Sequence, residues 1–406
     1  MRGLVRLSLC AALLALLLVP VATGGSTSLA RQLAAALHSK KLNPAKTGAV
    51  VYDLRTGDVV FALHATRSLH PASNEKLGTT YAALTALGPS FRIETDALGV
   101  GTQHGTKWRG DIVLKGYGDP TLSSAELRSL AHQVAQDGIK RVTGRVIGDE
   151  SWFDARRVGA GWKREFYLHE SPALSALIVD RGWDGREETQ PALYAAQLFR
   201  RYLVDEGVSV RGAARTGVAA ADATALGYVV SPSLASVIRF MDTYSDNFTA
   251  EMLLKQVGAV QRGKGTSAAG AAEERALLSA AGVPLPGIRI ADGSGLSSID
   301  RWTAAGLADV LREMWRDPDL QPYIAASLPI AGVSGTLKYR MRTGPAYGFV
   351  RAKTGTLDTA SALSGYVGDR YVFSVVENGG PVNFAAAVRT QDAFAQVLAR
   401  AAKNGS

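Results

Sequence analysis

A serine and a lysine three residues apart are the first feature of this chain that predicts chemistry. The stretch Ser73-Asn-Glu-Lys76 precedes apolar residues at helical spacing, so both side chains are expected on one face of a helix at its first turn. No other serine of the chain has a lysine at this spacing. A serine hydroxyl needs an adjacent base to act as a nucleophile, and a lysine whose pKa is lowered can be that base. The pair therefore predicts acyl transfer.

A second motif, Ser245-Asp-Asn247, offers a hydroxyl and an amide, and Ser245 is the only serine with an asparagine two residues on. The Ser245 hydroxyl can relay a proton to a leaving amine. The Asn247 amide can bind a carbonyl or an amide of a substrate. The same residues also suit an ordinary turn that ends a helix.

The third motif, Lys353-Thr-Gly355-Thr356, follows a strand-like run and predicts a sheet edge to which an extended peptide can pair. Gly355 allows a close approach of the substrate backbone. The Thr354 and Thr356 hydroxyls can bind a terminal carboxylate, with Lys353 adding positive charge.

Lys-Thr-Gly occurs twice, because the chain also contains Lys46-Thr-Gly48. This earlier copy follows Pro44 and leads into an apolar run, so it is interpreted as a turn before a first strand. Lys353 comes after both other motifs and is therefore chosen. Its charge, together with burial, is expected to lower the pKa of Lys76.

The elements around the motifs predict an α+β fold. Two early strands and three late ones can form one antiparallel sheet, with helices over 29–37 and 384–401 on one face. The strands are expected at 48–53, 59–63, 347–354, 362–367 and 371–376. Further helices are expected at 125–136, 192–205, around 234–241 and from Phe248 onward.

A β-rich texture begins near Phe91 and fades near Trp183, which predicts a domain inserted between the first and second motifs. The predicted division is a signal peptide at 1–24, a catalytic domain formed by 25–91 and 184–406, and an inserted domain at 92–183. The signal peptide is inferred from Arg2, Arg6 and an apolar run that is too short for a comfortable membrane span. The protein is thus expected to be exported, as a periplasmic or wall-associated protein, or anchored if the signal is not cleaved.

Composition narrows the function classes. Cys10, the only cysteine, lies in the predicted signal, so the mature chain has neither disulfides nor thiol chemistry. The six histidines show no metal-ligand spacing, and no metal or cofactor is expected. The net charge of +9 suits an anionic wall surface and equally an ordinary soluble one. No basic run interleaved with aromatic residues supports nucleic-acid binding.

With these motifs, the chain resembles the class C low-molecular-mass penicillin-binding proteins, the D-alanyl-D-alanine carboxypeptidase/endopeptidase family. The likeness extends over about residues 29 to 400. The stretches that carry it, besides the motifs, are Gly116-Tyr-Gly-Asp-Pro-Thr121, Gly144-Arg-Val-Ile-Gly-Asp149, Asp292-Gly-Ser-Gly-Leu-Ser297 and Gly335-Thr-Leu337.

The resemblance implies a penicillin-recognising fold, with helices on both faces of the sheet, and a serine D,D-peptidase. Its substrates would be the D-Ala-D-Ala ends or cross-links of peptidoglycan peptides, and β-lactams would be its inhibitors. It also implies that Ser73 is acylated, that Lys76 is its base, and that Ser245 and Asn247 serve proton relay and substrate binding. Residues 353–356 would line the substrate strand, and the Ser73 and Thr356 N–H groups would form the oxyanion hole.

The interval between Lys76 and Ser245 is shorter than the family's usual two inserted domains require, and only residues 181–187 stand near the place of the second insert. Carboxypeptidase and endopeptidase activity both remain open, as does the oligomeric state. A β-lactamase is an alternative, for which Glu165 and Glu170 are candidate deacylating bases without a motif around them. A non-catalytic wall-binding protein is a third. The fragment Gly293-Ser294-Gly295 lacks a full nucleophile elbow and is interpreted as a turn.

Overall fold

A five-stranded antiparallel sheet forms the centre of the first structural unit. The computed structural model describes residues 24–183 and 187–405. The sheet contains β1 (Thr47–Asp53), β2 (Val59–Leu63), β10 (Val350–Leu357), β11 (Ala360–Val367) and β12 (Tyr371–Asn378), in the order β10-β11-β12-β1-β2. The two early strands therefore pair with the three late ones as the sequence predicts, and β10, which carries the third motif, lies at an edge.

Helices cover both faces of this sheet. On one face α1 (Gly24–Ala36) and α10 (Phe384–Asn404) pack through Leu33, Phe394 and Leu398. The opposite face is covered by α2 (Lys76–Leu87), α5 (Leu234–Tyr244), α6 (Asn247–Arg262), α7 (Ser267–Ala280), α8 (Ala304–Arg316) and α9 (Gln321–Ser327), whose apolar side chains form one core with β1, β11 and β12. The predicted fold class and the packing of the first and last helices are confirmed.

A second sheet of seven strands forms the inserted unit. Its strands are β3 (Glu94–His104), β4 (Lys107–Gly116), β5 (Arg141–Val142), β6 (Val146–Asp149), β7 (Ser209–Val210), β8 (Arg215–Thr216) and β9 (Thr224–Val230). Helices α3 (Ser124–Gln136) and α4 (Pro191–Asp205) share its core. Ser123 begins α3 with a capping box, in which the Ser123 hydroxyl and the Glu126 carboxylate each bind the other residue's backbone N–H.

The predicted end of the insert at residue 183 is wrong, because the second sheet continues to Val230. Strand β9 pairs with β3, with Glu94 opposite Val230, and α4 packs into the same core. This pairing joins segments more than one hundred residues apart, and a single short strand gives no sign of its partner. The insert therefore occupies residues 94–230 rather than 92–183.

A connecting segment, described at residues 150–183 and 187–190, follows β6 and precedes α4. Phe153, Leu174 and Ile178 of this segment pack against Phe248 and Met252 of α6. The connecting segment thus lies between the inserted unit and the helices that carry the second motif.

Two further predictions concern where strand β10 begins and where the signal peptide lies. Strand β10 begins at Val350, three residues later than predicted, because Gly348 adopts a left-handed φ of +66° that belongs to a turn. The predicted signal peptide lies outside the described residues except for Gly24, which begins α1. Among the helices that the structure describes, none is long and apolar enough to cross a membrane.

Candidate active site

Ser73 and Lys76 lie on a single turn at the start of α2. Ser73 belongs to a 3-10 turn, Ala72–Glu75, and Lys76 is the first residue of the α-helix that follows. The Lys76 Nζ lies 3.1 Å from the Ser73 Oγ. The predicted contact between nucleophile and base is therefore present, although a 3-10 turn rather than the α-helix holds the serine.

The backbone immediately before Ser73 adopts a conformation that costs energy for a residue with a side chain. Ala72 has a φ of +47°, in the left-handed region. Two contacts hold it there: the Ala72 N–H donates to His70 Nδ1 at 3.0 Å, and the His70 Nε2 lies 2.8 Å from the Ser297 carbonyl oxygen. Ser73 is thus presented on a turn that surrounding residues fix.

The Lys76 amine is completely buried and has two further partners. It donates to the Asn247 Oδ1 at 2.8 Å and to the Ser294 carbonyl oxygen at 2.6 Å. Burial lowers the pKa of Lys76 to about 8, and nearby carboxylates, led by Asp292, act in the opposite direction. A lysine with this pKa is partly neutral near physiological pH, as a general base must be.

Hydrogen bonds to Lys76 and to the Glu170 backbone determine the orientation of the Asn247 amide. Its Oδ1 accepts from Lys76, and its Nδ2 donates to the Glu170 carbonyl oxygen at 3.1 Å. An amide placed this way holds the Lys76 amine in position, and its Nδ2 already has a protein partner. Asn247 also lines the cleft.

Lys353 joins the third motif to the second. Its Nζ donates to the Ser245 Oγ at 2.7 Å and to the Thr354 carbonyl oxygen at 2.9 Å. Ser245 ends α5 in a left-handed conformation with a φ of +60°. Lys353 is completely buried, and burial first, then the charge of Lys76, lowers its pKa well below the usual range.

The edge strand β10 forms one wall of a cleft of about 1090 Å³. Thr354 and Thr356 line it, together with Ser73 and Ser245. The Thr354 hydroxyl donates to the Thr336 hydroxyl at 2.7 Å. Gly355 lies so close to the turn that carries Ser73 that a Cβ there would come within 2.7 Å of the Pro71 carbonyl oxygen.

The earlier Lys-Thr-Gly copy occupies a different position. Lys46 is exposed, ends a 3-10 turn at Pro44–Lys46 and directly precedes β1. It lies on the rim of the cleft, whereas Lys353 donates to the second-motif serine. The choice of the later copy is supported by this contact.

Four residues contribute to this site that the motif analysis did not select. Glu170 contacts Asn247, the Ser294 carbonyl contacts Lys76, and the Asp292 carboxylate accepts hydrogen bonds from Ser294 and from the Trp162 indole. From the sequence, the stretch 292–297 has no predicted role in the site: it was noted for its likeness to a family, and its Gly293-Ser294-Gly295 fragment was interpreted as a turn. Within 24–183 and 187–405, no group of three His, Cys, Asp or Glu side chains could hold a metal ion.

A buried lysine beside a serine on a helix start, a second lysine on an edge strand and an antiparallel sheet between helices define a penicillin-recognising serine acyltransferase. The family model for "D-Ala-D-Ala carboxypeptidase 3 (S13) family" matches residues 29–187 and 184–401. The chain belongs to this family. The predicted family is confirmed, and with it the prediction of a serine D,D-peptidase.

Curated relatives agree over nearly the whole chain. A D-alanyl-D-alanine carboxypeptidase of Actinomadura sp. (strain R39) is 32% identical, covering 92% of this chain and 85% of the relative. A carboxypeptidase DacB of Mycolicibacterium smegmatis is 32% identical over 94% of this chain and 86% of its own length. The Actinomadura alignment spans 464 positions, more than the 406 residues here, so that relative contains segments that this chain lacks.

Solved structures show the same fold. Penicillin binding protein 4 (dacB) from Haemophilus influenzae superposes with a TM-score of 0.80 at 20% identity, covering 94% of this chain and 99% of that one. A predatory peptidoglycan endopeptidase from Bdellovibrio bacteriovorus, Bd3459, superposes with a TM-score of 0.59 at 17% identity, covering 90% and 93%.

Proposed function

We propose that this chain hydrolyses D-Ala-D-Ala bonds of peptidoglycan peptides through an acyl-enzyme on Ser73. The observation that carries the proposal is the contact of a completely buried Lys76 with both Ser73 and Asn247 in one cleft. Family membership and relatives called D-alanyl-D-alanine carboxypeptidases support the substrate class.

Each side chain has a role in this mechanism. Neutral Lys76 accepts the Ser73 proton as the hydroxyl attacks the carbonyl of the scissile bond. The Ser245 hydroxyl, held by Lys353, passes a proton to the leaving D-alanine amine. The Ser73 and Thr356 N–H groups would stabilise the oxyanion, and both residues line the cleft.

The terminal carboxylate of the substrate would lie against the threonines of β10. Thr354 and its partner Thr336 present hydroxyls to the cleft, and the Lys353 Nζ lies 2.9 Å from the Thr354 carbonyl oxygen. A carboxylate at this place favours a carboxypeptidase, because the end of a peptide carries that group. An open cleft can equally admit the longer chains of a cross-link, so endopeptidase activity is included in the test.

The experiment is mass spectrometry of products from a purified muropeptide mixture. Loss of one terminal D-alanine from pentapeptides would support carboxypeptidase action, and conversion of cross-linked dimers to monomers would support endopeptidase action. Ser73→Ala should lose both activities and all covalent labelling by penicillin while keeping the same circular dichroism. A folded Ser73→Ala protein that still labels or hydrolyses would overturn the proposal.

A β-lactamase is the second candidate, and the position of Glu170 favours it. The Glu170 Oε2 lies 3.5 Å from the Asn247 Nδ2 at the cleft, where a deacylating base would be needed. Rapid release of hydrolysed penicillin, lost in Glu170→Gln, would support this function. A long-lived penicilloyl enzyme in both proteins would exclude it.

We also propose that the protein acts outside the cytoplasm, where peptidoglycan is found. The apolar N-terminal run with Arg2 and Arg6 supports export. Fractionation of cells expressing the full chain, with N-terminal sequencing of the mature form, tests both the location and the cleavage site.

A further inference from the structure

The turn at residues 292–297 is a part of the reaction centre to which the proposed mechanism assigns no role. Its Ser294 carbonyl oxygen is 2.6 Å from the Lys76 Nζ, and the Asn247 Oδ1 is 2.8 Å from the same nitrogen. A neutral amine has two N–H donors and one lone pair. When these two oxygens take the two donors, the lone pair faces Ser73, 3.1 Å away.

Asp292 holds this turn together with one carboxylate. Its Oδ1 accepts from the Gly295 N–H at 2.8 Å. Its Oδ2 accepts from the Ser294 hydroxyl at 2.7 Å, from the Ser297 N–H at 3.3 Å and from the Trp162 indole. Asp292 is completely buried, so four donors converge on a carboxylate away from water. Such an arrangement stabilises negative charge and fixes the direction of the Ser294 carbonyl.

Among the charges near Lys76, that of Asp292 has the largest effect on the pKa of the Lys76 amine. Burial lowers the pKa of Lys76, and the Asp292 charge opposes this lowering more than any other group. The other titratable groups that face Lys76 are Asp246, Asp242, Glu75 and Lys353. Those that face Asp292 are His70, Glu75, Glu251, Glu274 and Asp300, and burial raises the pKa of all four of these carboxyls. Four buried carboxyls with raised pKa values therefore surround the Asp292 carboxylate.

We propose that Asp292 is a positioning residue for the base: it fixes the turn whose Ser294 carbonyl orients the Lys76 amine, and it supplies the counter-charge of the protonated amine. The inference rests on the proposed function, in which Lys76 activates Ser73. It gives the stretch 292–297 a role in acylation that an ordinary turn would not have.

The test is the pH profile of the acylation rate with a fluorescent penicillin, measured on the full chain. Asp292→Asn removes the charge and places an amide nitrogen against donor groups. The plateau rate should fall tenfold or more, and the acidic limb should move to lower pH by on the order of 0.5–1 pH unit, because the ammonium loses its strongest favourable charge. A plateau that falls without any movement of the limb would mean that Asp292 has only a structural role.

Ser294→Ala is the matched control, because it disturbs the same turn without changing its charge. It removes the hydroxyl that donates to Asp292 and keeps the carbonyl that accepts from Lys76. The acidic limb should stay in place while the plateau rate falls about threefold to tenfold, at the scale of one lost hydrogen bond. An unchanged plateau in Ser294→Ala would overturn the positioning role, and this result is obtained even if Asp292→Asn does not fold.

Failure of the base assignment is distinguishable from failure of this inference. If Lys76→Met acylates at the wild-type rate, Lys76 is not the base and the proposed function fails. If Lys76→Met is inactive but Asp292→Asn keeps the wild-type limb, only the inference about Asp292 is overturned.

Discussion

The Lys353 Nζ lies 2.7 Å from the Ser245 Oγ, so one partly buried contact joins the second and third motifs. Lys353 comes from an edge strand and Ser245 from the end of a helix, and neither element depends on the other for its secondary structure. Their contact forms only when the sheet and the helices pack. The site is therefore a tertiary feature that the packing of the sheet against the helices creates.

Lys353→Ala should reduce the acylation rate at least a hundredfold, because it removes the donor that holds the Ser245 hydroxyl and the charge beneath the cleft. Lys46→Ala is the control, since Lys46 belongs to the second Lys-Thr-Gly copy and lies on the same cleft's rim. Its effect should stay within about threefold, as for other surface charges. Stopped-flow acylation measures both. A larger loss from Lys46→Ala than from Lys353→Ala would reverse the assignment of the motif.

The acylation rate should rise with pH through a limb near pH 8. Burial lowers the pKa of Lys76 to about 8, and only the neutral amine can accept the Ser73 proton, so rates increase as pH passes this value. Burial is the largest cause of the lowering, ahead of any charge. The limb should therefore persist in Lys353→Gln, within about half a pH unit of the wild type. If the limb of Lys353→Gln instead moved up by a full pH unit, repulsion by Lys353 would be the dominant cause of the lowered Lys76 pKa.

Gly355→Ala should slow acylation with little loss of global stability. The added methyl group would meet the Pro71 carbonyl oxygen at 2.7 Å, and Pro71 directly precedes the turn that carries Ser73. Displacement of this turn should cost tenfold or more in rate. Gly380→Ala is the control, because a Cβ there has no neighbour within 4 Å. Equal rates for both variants would show that the nucleophile turn adapts.

Glu377→Gln should flatten the dependence of stability on pH. Burial raises the pKa of Glu377 to about 7, and its two oxygens accept hydrogen bonds from Thr390 and Gln391. The folded protein then holds a proton that the unfolded chain releases near pH 4.5, so the free energy of unfolding decreases as pH rises from about 4.5 to 7. Between pH 5 and 7.5 this decrease should be smaller in the variant by on the order of 2 kcal/mol.

Urea denaturation at the two pH values measures this difference. Asp369→Asn, which changes an exposed carboxylate, is the control and should keep the wild-type slope. An identical slope in Glu377→Gln would show that Glu377 binds no extra proton in the folded state.

The motifs could be predicted because each is a pattern of side chains along the chain. Ser73 with Lys76, and the sheet edge at Lys353, follow from local spacing and strand texture. The Ser294 carbonyl could not be found this way, since a backbone oxygen is present at every residue and only folding selects one. The insert boundary was missed for a related reason: β9 is recognisable only by its pairing with β3.

The contact between the Glu170 carbonyl oxygen and Asn247 is another feature that the sequence did not predict. Asn247 donates to the backbone oxygen of Glu170, and the identity of that side chain gives no hint of the contact. Sequence patterns thus predicted the candidate reacting groups, while the contacts that orient those groups depend on segments distant in the chain.

The connecting segment also limits which part of the insert can be exchanged without disturbing the site. It contributes Trp162 to Asp292, Glu170 to Asn247 and Lys163 to Asp358, whose Nζ and Oδ2 are 3.7 Å apart. A recombinant chimaera that exchanged the whole insert would remove these partners together. An exchange of the second sheet is therefore expected to keep the site intact only when residues 160–170 stay with the catalytic unit rather than with the insert from which they emerge.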